Sequence, residues 1–86
     1  MSENDQIIGQ QLAAARALAG LGQAEVAAAA HISLPTLRRM EASKGAVSGL
    51  ANNVLAVRRV LESAGVIFLE DGATLAGGPG VRLRGK

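Results

Sequence analysis

The chain has 86 residues, 49% of them apolar, with nine Lys and Arg against seven Asp and Glu and no cysteine. That length makes a single domain, small but able to fold alone; the lack of cysteine excludes disulfides and thiolate metal sites, and no apolar run approaches the roughly 20 residues that span a bilayer. The net charge of +2 excludes nothing by itself, and the polar start MSENDQ lacks the basic-then-apolar layout of a signal peptide, so the expectation is a soluble, cytoplasmic protein.

Many of the apolar residues are alanine and Phe68 is the lone aromatic, so the core must rely on close helix packing or on a second subunit. Met1 to Asn4 are expected to fray. From Asp5 to about Ala19, the residues Ile8, Leu12, Ala15 and Leu18 recur at spacings of four and three, one stripe of an amphipathic helix. Asp5 is the expected N-cap and Gly20 the stop, since glycine accepts the left-handed conformation that ends helices. Arg16 falls beside the stripe, where it either snorkels outward or reaches a carboxylate on another element.

Gly22-Gln23-Ala24-Glu25 opens a second, short helix that runs to about Ala30, with Val26, Ala27 and Ala30 facing in. Glu25 sits at its third position, from which the carboxylate reaches back to the N-cap amide. His31 makes the corner and must take positive φ, which histidine tolerates better than most residues; Ile32 plugs the corner into the core. Ser33 caps a third helix with Pro35 in the first turn, where a missing N–H costs little, so the Ser33 hydroxyl is expected on the Thr36 amide. Leu37 and Met40 point inward, three apart. Leu34, Pro35, Thr36, Arg38 and Arg39 are left outside, a surface that mixes apolar contact groups with two guanidiniums. Two helices about a tight corner read as a helix-turn-helix whose second helix enters the major groove of duplex DNA.

Ser43-Lys44-Gly45 is a loop, and a fourth helix from about Gly49 to Ala64 carries the stripe Leu50, Val54, Val57, Leu61 and Ala64, ended by Gly65. Val66-Ile67-Phe68-Leu69, bounded by Glu70-Asp71-Gly72, reads as a strand. After a glycine-rich loop from Ala76 to Gly80, the alternation Val81-Arg82-Leu83-Arg84 reads as a second, half-buried strand. A lone two-stranded hairpin is barely stable in water, so this one lies on the helices or pairs with another copy. The weak core favours pairing across a dimer axis. The expected fold is therefore mainly α: a compact four-helix domain over residues 1–65, and a C-terminal β-hairpin over 66–86 that dimerises through Ile67, Leu69, Val81 and Leu83.

Charge is clustered. Acidic residues lie at Glu3 and Asp5 and at Glu70 and Asp71, whereas bases come as Arg38-Arg39 with Lys44, as Arg58-Arg59, and as Arg82, Arg84 and Lys86. Such clusters create a local positive field that attracts phosphate although the total is near neutral. Arg58, Arg59, Arg82 and Arg84 read as solvated surface. His31 has no second histidine and no cysteine with which to share a metal, so it reads as a corner residue. There is no Ser/His/Asp spacing, no phosphate-cradling glycine loop before a helix and no carboxylate pair outside an exposed turn; the chain reads as a non-enzyme without cofactors or metal.

From about Ile8 to Ala64 the sequence resembles the lambda-repressor-like, Xre/Cro family of helix-turn-helix regulators. Gln23 at the start of the second helix, the Glu25-Val26-Ala27 triplet, Ile32-Ser33 at the turn, and Leu37 with Met40-Glu41 in the third helix follow that family's spacing without a gap. The tail is similar to that of small bacterial members ending in a "GV-x-F" strand and a "GPGVRLR" segment, here Gly65-Val66-Ile67-Phe68 and Gly78 to Arg84. Gly22 stands where Ser or Thr usually caps, and His31 where glycine usually turns. The resemblance implies base contacts from Leu34, Pro35 and Arg39 with Thr36 beside them. It implies phosphate contacts from Gln23, which also braces the third helix, and from Ser33, Arg38, Ser43 and Lys44. It further implies an ion pair between Arg16 and Glu41.

The sequence thus points to a homodimeric, sequence-specific regulator of transcription that binds double-stranded DNA, most simply a repressor at a palindromic operator. The rival is a protein-interaction module on the same fold, an antitoxin or an anti-activator that captures another regulatory protein through the apolar tail. An architectural role in recombination is a third, weaker alternative.

Overall fold

The computed structural model of the protein describes residues 7–47, 49–70 and 77–85. The expected frayed start, the acids Glu3, Asp5 and Asp71, the turn residue Gly72, the loop start Ala76 and the terminal Lys86 lie outside the described residues. In chain order the elements are α1 (Gly9–Ala19), α2 (Gln23–Ala29), α3 (Leu34–Glu41), α4 (Ala51–Ser63), β1 (Val66–Leu69) and β2 (Gly80–Leu83). This is the expected mainly α architecture, four helices and one antiparallel hairpin.

The first helix starts later than its stripe suggests. Its N-cap is Ile8, in extended conformation, rather than Asp5. Ile8 has no side-chain acceptor to offer, and Gln11 supplies the other half of a cap: the Ile8 N–H donates to Gln11 Oε1 at 2.9 Å. At the far end Gly20 takes the expected left-handed conformation, φ 71°.

The core collects Leu12 and Ala15 from α1, Val26, Ala27 and Ala30 from α2 and its cap, Leu37 and Met40 from α3, Val57 and Leu61 from α4, and Val66 from β1. Burying each of the larger side chains stabilises by roughly 1.5–3 kcal/mol before entropy is set against it. Four expected stripe members lie outside it. Ile8, the N-cap of α1, is half-buried, and its neighbour Ile7 joins the core instead. Leu50 is 72% exposed because it precedes the helix as its N-cap, so the helical period does not govern where it points. Ala64, at the other end, is exposed as the C-cap. Leu18 is 44% exposed, and Ala19, four residues beyond Ala15, packs on the core in its stead.

The two strands pair with each other within the chain, Val66 opposite Leu83, Ile67 opposite Arg82, Phe68 opposite Val81 and Leu69 opposite Gly80. The sheet lies against α1 and α4, which give it the support that a dimer axis was expected to give. Because side chains alternate and opposed residues share a face, the register sets Val66, Phe68, Val81 and Leu83 on one side and Ile67, Leu69 and Arg82 on the other. The four residues expected to form one dimer interface are therefore split between the faces. Val81 packs on the core, whereas Ile67 is 39% exposed.

Two contacts fasten this hairpin. Arg58 lies over the Phe68 ring, 5.4 Å from its centroid, while its Nε donates to Glu62 at 3.0 Å. Gln11, 5% exposed, donates from Nε2 to the carbonyls of both Leu69 and Gly80, each at 3.0 Å. One amide thus joins the start of α1 to both strands. Gln11→Leu would leave two carbonyls and one N–H without this partner, an expected cost of about 1–3 kcal/mol. Hydrogen exchange should then quicken in the hairpin amides ahead of those of α2 and α3.

Candidate nucleic-acid interface

The corner between α2 and α3 follows from its backbone bonds. The His31 N–H donates to Ala28 O at 3.2 Å and the Ile32 N–H to Ala27 O at 3.0 Å, the pair of bonds that closes a helix on a left-handed residue. His31 is that residue, with φ 58°. Ile32 packs on the core as expected, which fixes the angle at which the chain leaves the corner. Ser33 then caps α3: its Oγ accepts from the Thr36 N–H at 3.2 Å, skipping Pro35, and also bonds Thr36 Oγ1 at 2.7 Å. The Thr36 side chain, an expected base contact, is thereby turned toward the cap, with its methyl left over for apolar contact. At the start of α2 the Gly22 N–H donates to Glu25 Oε1 at 2.9 Å, the half of the capping box that glycine permits.

Leu37 and Met40 are buried, at 0% and 1% exposure, so the opposite side of α3 is fixed as its outer side. Pro35, Arg38 and Arg39 are exposed there, with Leu34 and Thr36 half-buried. α3 packs on α1 and α2, and the hairpin packs on α1 and α4.

A polar network braces this helix. Arg16 grips Glu41 with two bonds, Nε to Oε2 at 2.8 Å and Nη2 to Oε1 at 3.0 Å, and its Nη1 donates to Leu21 O at 3.2 Å. The arginine beside the apolar stripe therefore reaches a carboxylate, and the Arg16–Glu41 pair lies where the family resemblance put it. The pair is well shielded, with side-chain exposures of 23% and 8%. The hydrogen bond to Glu41 raises the pKa of Arg16 above its ordinary value; burial opposes this, and the charge of the carboxylate adds to the rise. Gln23 joins from α2, its Nε2 donating to Glu41 Oε1 at 3.0 Å, and its Oε1 accepts from Arg38 Nε at 3.4 Å. Arg16, Glu41, Gln23 and Arg38 thus form one chain of bonds across α1, α2 and α3.

The network sorts the expected contact residues. Gln23 is held with one amide hydrogen used, leaving its second to point elsewhere. Arg38 is steadied by Gln23. Arg39 and Lys44 are exposed, and neither side chain bonds to a described residue. Ser43 Oγ donates to Arg39 O at 3.2 Å, which ties the loop that carries Lys44 back onto the end of α3. Since Glu41 is neutralised by Arg16, the outer side of α3 and the loop after it carry positive charge that no acid among the described residues pairs with.

Two supporting residues have no part in the sequence reading. A Cβ on Gly9 would collide with Ser43 O and stand 2.9 Å from the carbonyl oxygens of Met40 and Glu41, so the first turn of α1 lies backbone to backbone on the end of α3. Nothing local in the sequence signals that approach. Gln11 did leave a signal: glutamine at the third helical position is the reaching member of a capping box, and it would have set the helix start at Gly9.

Among the described residues no helix is long and apolar enough to cross a membrane, and no group of three or more His, Cys, Asp or Glu could hold a metal. No curated protein matches the chain. A family model described as a helix-turn-helix domain matches residues 7–65, the four helices with the corner at their centre. The chain belongs to that helix-turn-helix family of DNA-binding domains, in keeping with its resemblance to the lambda-repressor-like regulators.

Proposed function

We propose that the protein is a sequence-specific regulator of transcription that acts as a homodimer on a palindromic operator, most simply as a repressor that occludes polymerase. One observation carries this reading: the outer side of α3 is basic, and the helix is braced from behind by Arg16 and Gln23, which both donate to its Glu41. A helix with that side outward fits the major groove, which is wide enough to admit it. Arg39 then reads a guanine through paired hydrogen bonds to O6 and N7, and Leu34 and Pro35, lacking donors, pack on thymine methyls. Gln23, Ser33, Arg38, Ser43 and Lys44 hold phosphates on either side, which sets the register without reading sequence. Two-fold symmetry spaces the half-sites about 34 Å, or 10 bp, apart, or a multiple of that.

Two variants test the division of labour in a gel-shift titration against the region upstream of the protein's own gene. Arg39→Ala should lose about 5- to 150-fold preference for the operator over a variant at one base pair, as follows from roughly 1–3 kcal/mol per bidentate contact. Lys44→Ala should weaken binding to all sequences alike and reduce the salt slope by about one unit. If both variants bind a specific operator as the parent does, the outer side of α3 is not the reading surface.

A further inference from the structure

Side-chain chemistry limits what the outer side of α3 can recognise. Of the residues proposed to meet bases, Leu34 and Pro35 have neither donor nor acceptor on their side chains. The Thr36 hydroxyl is engaged within the protein, its Oγ1 2.7 Å from Ser33 Oγ, while the same Ser33 oxygen accepts the Thr36 N–H at 3.2 Å. Thr36 is left with its methyl group. Arg39 differs: it is exposed, its guanidinium bonds to no described residue, and all its donors remain. Arg38, by contrast, is held toward α2 by Gln23 at 3.4 Å. Three apolar groups thus stand beside one unengaged guanidinium.

The major groove distinguishes the bases by donors, acceptors and the thymine methyl, and α3 can answer only part of that code. Adenine is read by Asn or Gln, and the amino group of cytosine by a carboxylate. α3 has neither Asn nor Gln, and its sole acid, Glu41, is held by Arg16 and Gln23. Guanine is open to Arg39. Thymine is open only through its C5 methyl, because an apolar side chain cannot test the oxygen at C4 beside it. Such a side chain is equally blind to the amino group that cytosine carries in that place. A cytosine with a methyl at C5 therefore presents to Leu34, Pro35 and Thr36 the one feature that they can sense.

We infer that the outer side of α3 recognises the C5 methyl group of pyrimidines through Leu34, Pro35 and Thr36, and accepts C5-methylated cytosine in place of thymine. The inference rests on the DNA reading proposed above and names the chemical group recognised. Arg39 sharpens it where a guanine follows. Pro35 and Thr36 lie four and three residues before Arg39, so the three share one flank of the helix. A guanidinium bonded to guanine O6 and N7 lies beside the C5 position of the pyrimidine that precedes that guanine on the same strand, and packs on a methyl group there. Thymine-guanine and methylated cytosine-guanine steps fill the contact alike, whereas an unmethylated cytosine leaves a hollow in it. A methyltransferase acting on cytosine C5 then adds binding sites without changing the base sequence.

Gel-shift titration with modified duplexes tests this. In an operator selected by the protein from a random duplex pool, each thymine is replaced in turn by uracil, which removes the methyl and keeps the base pair. At least one replacement should weaken binding about fourfold, the worth of one buried methyl group. At that position C5-methylated cytosine paired with guanine should bind as thymine does, and unmodified cytosine as weakly as uracil. Thr36→Ser keeps a hydroxyl for Ser33 and lacks only the methyl. With an unchanged circular dichroism spectrum, it should lose the preference for thymine over uracil at one position and keep the parent's affinity for the uracil duplex. Thr36→Val, which keeps the shape without the hydroxyl, should retain that preference. A Thr36→Ser variant that discriminates as the parent does would strike Thr36 from the contact. A specific complex that no uracil weakens, or that gains nothing from methylation of cytosine at a sensitive position, would overturn the inference and leave the DNA reading intact. A parent that selects no operator from the pool would overturn that reading, and this inference with it.

Discussion

Replacing Glu41 with leucine is expected to lower stability by about 2–3 kcal/mol and to loosen the hold on DNA with the same change. Removing one partner of a buried ion pair costs about 3–5 kcal/mol, because the other charge remains without compensation. Arg16 keeps 23% of its side chain in contact with water, which sets the expectation at or below the lower end of that range. For a domain of this size such a loss lowers the melting temperature by about 10–20 °C. The stranded arginine keeps one bond, to Leu21 O, and Gln23 loses the acceptor that orients it. Through Gln23, the Arg38 side chain loses the steady partner of its one bond to a described residue, so two of the proposed phosphate contacts must be reordered at binding. Because the pKa of Arg16 is raised, its share of the stabilisation is present at every pH below the ordinary arginine range and is lost only above it. Thermal unfolding of Glu41→Leu, of Arg16→Met and of the double variant decides the matter. Arg16→Met combined with Glu41→Leu should cost less than Glu41→Leu alone, since an apolar pair leaves no buried charge behind. Costs that simply add would mean that the pair is not coupled.

The outline of this interface was legible in the sequence where the chemistry is local. Ser33, Pro35 and Thr36 lie within four residues, and the lack of an N–H on proline is enough to send the cap to Thr36. His31 at the corner implied a left-handed residue because the chain must reverse there. The bond between Arg16 and Glu41 spans 25 residues and was reached only through family resemblance; helical periodicity said no more than that the arginine was oddly placed. Leu50 misled for a related reason, since periodicity describes side chains inside a helix and Leu50 stands one residue before it. The hairpin's docking on α1 depends on Gln11 meeting carbonyls 58 and 69 residues away, and backbone carbonyls carry no residue-specific signature that a sequence could display. The hairpin, expected to pair across a dimer axis, pairs its two strands within one chain and packs on α1 and α4.

Gly9→Ala tests a contact for which simple propensity gives the wrong sign. Alanine is the better helix former by about 0.8–1 kcal/mol in a helix interior, so on local grounds the substitution should stabilise α1. The added Cβ would instead meet three carbonyl oxygens, those of Ser43, Met40 and Glu41, and all three belong to backbone that cannot rotate away. Relief requires α1 to move off the end of α3. That strains the two ties beside it, the Gly9 N–H to Gly45 O bond at 3.1 Å and the Val47 N–H to Ile7 O bond at 2.9 Å. Overpacking of this kind costs about 1–3 kcal/mol and occasionally more; with three fixed obstacles the upper part of that range is expected, well beyond any gain in propensity. The displaced residues include Glu41 and Ser43, so the tilt of α3 and the position of the Lys44 loop change with it, and DNA affinity should fall more than the loss of any single phosphate contact would explain. Urea unfolding and a gel-shift titration of Gly9→Ala measure the two effects. Gln10→Ala on the exposed side of the same turn is the control, expected to fall within about 0.5 kcal/mol of the parent. If Gly9→Ala proved as stable as the parent, the first turn of α1 would not lie on the end of α3 as closely as described, and the bracing of the recognition helix from that side would have to be abandoned.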